Sequence, residues 1–480
     1  MRRLLPFLVL AALLAGCGSA SKTSSTGGSI PAGASVVRAG VVAFVAVDSD
    51  TGSNQWKQLD ELAQKFPGRD QAISKLKQQF TDQGVDYDTD VKPALGPELD
   101  VAVVRAGNES STKAVALTKP DDPAKFKALV AKLNAKDSSG DRAVYREVDG
   151  WYAVSDSQAS ISRALEGNAP LAEDSDFKEA MDKLPGDALA KVYLDGQQLN
   201  AIVPQSSATG TAALGLDKLK YIAASASAED DGVRVHGVTS GGPSGGDFAS
   251  ALIGGVPGDA FALLDFDGQS TTDQLEKLKA NPQAAATIAK FEKEYGVTLE
   301  QVLALLSGEV AFYARPGAVI PELTLALDPK NQSAALATLD KLAAKLAEES
   351  GSQVQPGTQG GHAVKTVNLG QLTIHYGTVD GKVLITSGVS GIADYGEGDH
   401  LPDSDDFKQA QDAAGMPDST GGVVYIDLKD ALPLLEGFAG LAGQSLPSST
   451  TENLRPLRSF LAWTNASGET RTFDAFLEIK

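Results

Sequence analysis

From residue 41 onward the chain alternates short apolar runs with stretches whose apolar residues fall at helical spacing, and the same order of elements is written twice. Residues 41–47 (VVAFVAV) read as a strand, and Trp56, Leu59, Leu62 and Phe66 behind them mark a helix. Residues 260–264 (AFALL), followed by Leu275, Leu278, Ile288 and Phe291, repeat that pair. Gly84-Val85-Asp86 and Gly296-Val297-Thr298 each open a short helix ending at Gly96 or Gly308, before strands at 99–104 and 310–313. Thr298 and Gln301 have the spacing of a capping box, in which each side chain satisfies a free backbone N–H at the helix start. A strand and a helix follow in both places, 114–117 with 123–133 and 323–327 with 333–346, where Leu336, Leu339, Leu342 and Leu346 form one apolar stripe. Hairpins come next, 143–148 with 151–154 around Asp149-Gly150 and 372–379 with 382–385 around Asp380-Gly381. Asp-Gly between alternating apolar positions is the strongest short hairpin signal, because both residues tolerate the positive φ of a type I′ turn.

The duplication is most direct where the residues themselves recur. Ser175-Asp176-Phe177-Lys178-Glu179-Ala180 returns as Asp405-Asp406-Phe407-Lys408-Gln409-Ala410, and Val192-Tyr193-Leu194-Asp195 returns as Val424-Tyr425-Ile426-Asp427. Each copy closes on a further hairpin, 219–228 with 233–238 and 460–464 with 472–479. A length of 480 residues suggests about three domains, but the repeat argues for two. The expected division is a first α+β repeat at 34–240, a linker at 241–254 that begins with the Gly/Pro/Ser-rich run around residue 243, and a second repeat at 255–480. Hairpins interrupted by helices predict an α+β fold: two tandem copies of a mostly antiparallel sheet with helices on one face, packed as a pseudo-twofold pair.

The N-terminus stands apart from this pattern. Arg2 and Arg3 precede an apolar run at 4–14, and Leu14-Ala15-Gly16-Cys17 closes it with small residues, which is the order of an export signal. It resembles the bacterial lipobox, predicting a signal peptide at 1–16 and a diacylated, palmitate-bearing Cys17 at the start of a flexible tether, 17–33. Cys17 is the only cysteine, so no internal disulfide is available. Loss of Arg2 and Arg3 moves the formal charge from −20 to −22, which argues against nucleic acid and against docking on anionic headgroups. The expected location is the extracytoplasmic face of the cell membrane, held by the two acyl chains on Cys17.

Candidate chemistry is sparse. His236, His362, His375 and His400 show no metal-ligand spacing, and His236 and His375 fall in strand patterns. Gly242-Pro243-Ser244-Gly245-Gly246 matches G-x-S-x-G, but it lies in the junction rather than on a strand-turn-helix of a parallel sheet, so a serine hydrolase ranks a distant third among functions. Asp48-x-Asp50, Asp265-x-Asp267 and Asp86-x-Asp88-x-Asp90 are acidic clusters; in the first, Ser53 stands where a calcium loop has its glycine and Leu59 where it has its distal acid, and all three read as turn and cap residues. No catalytic residue, metal site or cofactor is expected. The apolar, glycine-rich run 431–446 (ALPLLEGFAGLAGQSL) is the candidate wall of an apolar cleft, with Leu435, Phe438, Gly440 and Leu441 as its lining.

With the lipobox, the duplicated strand-helix units and the twin Asp-Phe-Lys-x-Ala segments around Phe177 and Phe407, the chain resembles bacterial lipoproteins carrying the domain of unknown function 3352. The resemblance covers nearly everything after the tether. That family has no assigned activity, so the resemblance implies no functional residue. The expectation is a non-catalytic interaction or scaffold protein of the cell envelope with a possible protein partner, and the alternative is a carrier of an apolar, lipid-like ligand.

Overall fold

Apolar residues at consecutive positions in 99–104 and 114–117 require burial on both sides of a strand, and the fold supplies it. The computed structural model describes residues 30–107, 111–136, 142–202, 218–241, 246–268, 282–317, 320–370, 372–441 and 446–480, except the side chains of 282, 283, 435 and 438–441. Among these residues eighteen strands form one antiparallel sheet. They are β1 (Ala43–Asp48), β2 (Glu98–Arg105), β3 (Thr112–Thr118), β4 (Val144–Val148), β5 (Trp151–Ser155), β6 (Ala190–Asp195), β7 (Tyr221–Glu229), β8 (Gly232–Ser240) and β9 (Ala262–Asp267). The remainder are β10 (Glu309–Arg315), β11 (Glu322–Leu327), β12 (Gln355–Gln359), β13 (His362–Asn368), β14 (Thr373–Val379), β15 (Lys382–Thr386), β16 (Gly422–Asp427), β17 (Leu457–Ser467) and β18 (Thr470–Ile479).

Pairing sets the order β4-β5-β3-β2-β1-β6-β7-β8-β18-β17-β16-β9-β10-β11-β15-β14-β13-β12. The join lies between β8 and β18, which pair in continuous register from Gly232↔Glu478 to Ser240↔Thr470.

The helices are α1 (Asn54–Gln64), α2 (Arg69–Asp82), α3 (Pro123–Lys136), α4 (Gln158–Leu165), α5 (Ser175–Lys183), α6 (Gly196–Ile202), α7 (Pro282–Tyr295) and α8 (Leu299–Ala304). They continue with α9 (Gln332–Ser350), α10 (Gly391–Asp394), α11 (Asp405–Ala414), α12 (Leu428–Leu441) and α13 (Ser448–Leu454). They cover both faces of the sheet, where the sequence pattern predicts one. Ala102, Val115, Leu117 and Ala153 pack with Ile161 of α4 and Phe177 of α5, while their neighbours Leu99, Ala116, Tyr152 and Val154 pack with Phe80 of α2 and Phe126 of α3. Farther along, Ala311, Ala326 and Leu384 face Ile392 and Phe407, and Val310, Leu327 and Val383 face Ala335 and Leu339 of α9. No helix among the described residues is long and apolar enough to cross a membrane.

Local signals hold where the chemistry is short-range. Asp149 and Gly150 have φ of 51° and 80°, and Asp380 and Gly381 have 46° and 83°, as type I′ turns demand. The capping box of Thr298 and Gln301 is formed at the start of α8. α5 begins with Asp174 accepting the Phe177 N–H at 3.0 Å, and α11 with Ser404 accepting that of Phe407 at 3.3 Å. Each cap fixes its phenylalanine edge-on to a strand tyrosine, Phe177 on Tyr193 and Phe407 on Tyr425, with ring centroids 5.0 Å and 4.8 Å apart. One hairpin, β12–β13, is unforeseen, as Pro356 and Gly357 interrupt any alternation in β12. Its proline is tolerated because β12 is an edge strand.

Candidate functional site

An apolar cleft of about 540 Å³ opens between α1 and α2. α1 forms because Ser53 caps it, accepting the Trp56 N–H at 3.3 Å, and because Trp56, Leu59, Leu62 and Phe66 share a face. That face is held down at three points. The Trp56 indole donates to the Asp48 carbonyl at 2.8 Å, Gln55 exchanges hydrogen bonds with the Ala228 backbone, and Lys65 donates to the Ile479 carbonyl at 2.8 Å. Leu62 is buried against Ala228 and Ile479.

α2 returns alongside with Ile73 and Leu76 toward the same space, and the turn between the helices is pinned from the distant end of the chain. Asn453 of α13 accepts the Gly68 N–H at 2.6 Å, and a Cβ on Gly68 would stand 2.6 Å from that side chain, so any other residue at 68 would make Asn453 shift. Asn453 and Ile479 therefore complete walls begun by residues near 60 and 75. Polar groups are confined to a few positions including Asp60, Arg69, Gln71 and Lys75, and Arg69 is ion-paired to Asp60 and Asp70. Such a space, apolar with a few convergent polar groups, suits an apolar molecule and contains no arrangement for bond-making chemistry.

On the opposite face a row of side chains, polar except for Ala46, crosses from β2 to β18. Asp100, Ala46, Lys191, Ser225, His236 and Asp474 stand side by side on β2, β1, β6, β7, β8 and β18. His236 Nδ1 lies 2.8 Å from Asp474 Oδ1, and this bond raises the imidazole pKa against partial burial. Ser225 Oγ donates to the His236 carbonyl at 3.5 Å rather than to its ring and is 3% exposed, so the three groups form no nucleophile-base relay.

Two buried carboxyls sit at related places. Asp100 lies opposite Ala46, and Asp265 opposite Ala311. Among the described residues no hydrogen bond of good geometry reaches the oxygens of either. Each has a glutamate two residues away or across the strand pair, and that glutamate receives a neighbouring loop. Glu98 accepts the Gly33 N–H at 2.9 Å, and Glu309 accepts those of Ala251 and Leu252 at 2.9 and 2.8 Å. Burial, with Glu309 adding its charge, pushes Asp265 up to about 7, and burial with Glu98 raises Asp100 well above the carboxylate range.

The residues expected to carry function fare unequally. Cys17 lies outside the described residues, as do Gly242 to Gly245 of the G-x-S-x-G match and Leu275 and Leu278. Leu435, Phe438, Gly440 and Leu441 fall in α12, but their side chains lie outside the described residues. Asp48 and Asp50 serve the turn, accepting the N–H groups of Asp50 and Gly52 at 2.9 Å each, and Asp86 caps a helical turn through the Thr89 N–H. Asp265 is a correction: β9 runs Ala262–Asp267 and so ends three residues beyond the apolar run 260–264, which places Asp265 inside the strand rather than in the turn behind it. His375 is hydrogen-bonded to Thr366 across β13 and β14 at 2.9 Å. The α1–α2 cleft was missed because α2 was; Ile73, Leu76 and Phe80 have helical spacing and would have revealed it.

Fold and cleft together define an α+β protein with a continuous antiparallel sheet and an apolar cleft, without a recognisable catalytic centre among the described residues. The chain belongs to the family described as "Protein of unknown function (DUF3352)", which matches it over residues 5–160 and 149–479. No curated protein matches it.

Proposed function

We propose that this is a non-catalytic lipoprotein of the cell envelope, tethered through lipid on Cys17, that holds an apolar, lipid-like molecule in the α1–α2 cleft. The cleft carries the reading: its volume of about 540 Å³ falls within the roughly 300–1,000 Å³ of small-molecule pockets, and its walls are mainly Trp56, Leu59, Leu62, Phe66, Ile73 and Leu76. The proposed body is two copies of one α+β unit, 34–240 and 255–480, related by a pseudo-twofold axis between β8 and β18. The strand order supports this, since β5-β3-β2-β1-β6-β7-β8 and β15-β11-β10-β9-β16-β17-β18 approach the join in corresponding sequence. The register supports it as well, being centred on the His236–Asp474 pair.

Two experiments bear on the proposal. Ala72 is an exposed residue on the cleft wall, so Ala72→Trp fills the space without disturbing the core. The full-length protein should bind the neutral probe N-phenyl-1-naphthylamine, and Ala72→Trp should weaken binding at least tenfold with an unchanged circular dichroism spectrum. Equal binding by both proteins, or none by the wild type, sinks the apolar-ligand reading and leaves an interaction scaffold. For the tether, Cys17→Ser should move the protein from the membrane fraction to the soluble extracytoplasmic fraction; a variant that stays with the membrane removes the lipoprotein assignment.

A further inference from the structure

A second pocket, of about 300 Å³, opens on the other side of α13 between α12 and the start of β17. Its walls combine Leu432, Pro433, Leu446 and Leu454 with Lys429, Arg455 and Arg458, and Glu436 is the one acidic residue among them. Lys429 is engaged by Asp406 at 3.2 Å. Neither arginine has an ion pair or a side-chain hydrogen bond among the described residues. Two guanidiniums left unneutralised at one apolar opening stand out in a chain of formal charge −20. At the corresponding place in the first copy, Lys220 occupies the position of Arg458 and is paired with Glu469 at 3.0 Å, and Gln197 and Asn200 replace Lys429 and Leu432. The cationic pocket is therefore particular to the second copy. Leu446, at 38% exposure, adds an apolar surface beside the charges.

We infer that this pocket binds the anionic headgroup of an amphiphile. The planar forks of Arg455 and Arg458 match the paired oxygens of a phosphate or carboxylate, and Leu432, Leu446 and Leu454 take the first part of its alkyl chain. The inference stands independently of the α1–α2 cleft, whose lining residues are different.

The test is calorimetric titration of the full-length protein with dodecyl phosphate below its micellar concentration, with dodecanol and inorganic phosphate as separate arms. Dodecyl phosphate should bind the wild type at least tenfold more tightly than either comparator. The double variant Arg455→Ala, Arg458→Ala should lose at least tenfold in that affinity, Arg458→Lys should lose less, and the cleft variant Ala72→Trp should keep it. Three outcomes overturn the inference: dodecanol binding as well as dodecyl phosphate, inorganic phosphate binding as well, which would make this a free-phosphate site, or a double variant that binds like the wild type. Arg455 is exposed, so Arg455→Ala alone, expected to weaken binding severalfold, keeps the test decisive if the double variant does not fold.

Discussion

Truncating Phe177 or Phe407 to alanine will destabilise the protein by about 3–5 kcal/mol in either case. Both rings are almost fully buried, at 0% and 1% exposure. Each also fixes a helix to its sheet: Phe177 meets Phe44 and Tyr193 edge-on, and Phe407 meets Tyr425. Alanine leaves a cavity that α5 and α11 can close only by shifting toward β6 and β16, against the caps at Asp174 and Ser404 that fix their starts. Urea unfolding of each variant measures the loss. A value under about 1 kcal/mol at either position would mean that the side chain does not hold its helix down, and the equivalence of the two segments would lose its structural basis.

The second large effect is on pH dependence. Asp265 has its pKa raised from 3.8 to about 7, first by burial and then by the charge of Glu309. Its neutral form is the one the fold favours, so the associated stability is complete below about pH 4 and is lost as pH rises through about 7. The loss is at most about 4 to 5 kcal/mol, from about 1.4 kcal/mol for each unit of pKa difference. Asp265→Asn cannot ionise, so its stability should change much less between pH 5 and pH 8, and it should exceed the wild type at pH 8. Parallel urea titrations at the two pH values decide the matter: identical pH dependence in both proteins would show that Asp265 ionises in the fold as readily as in the unfolded chain.

Features governed by neighbouring residues were legible in the sequence. The Asp-Gly hairpins, the Thr298–Gln301 box and the buried faces around Phe177 and Phe407 all follow from rules that act over a few positions. Features that depend on distant partners were not. The cleft needs Asn453 against Gly68 and Ile479 against Leu62, contacts that no local periodicity announces. β12 escaped because an edge strand needs no apolar alternation, although Gly360-Gly361, with φ of 56° and 87°, marks its turn. Helices on the second face were foreshadowed only by the consecutive apolar residues of β2 and β3, a signal easily taken for strong propensity rather than two-sided burial. The end of β9 was placed three residues early, and for Asp265 that is the difference between a turn and a core.

The pairing of β8 with β18 has a consequence for ancestry. Produced alone, residues up to 241 would leave β8 with an open edge from Gly232 to Ser240, and the register it uses for β18 is one that a second β8 can adopt. If the proposed pseudo-twofold relation holds, the join has the geometry of an isologous contact between identical chains, in which a residue on the axis must face its own copy. Histidine would face histidine there. On that proposal, fusion of two such chains into one would free the two sides to diverge, and Asp474 opposite His236 would be a change that no homodimer of identical subunits can make.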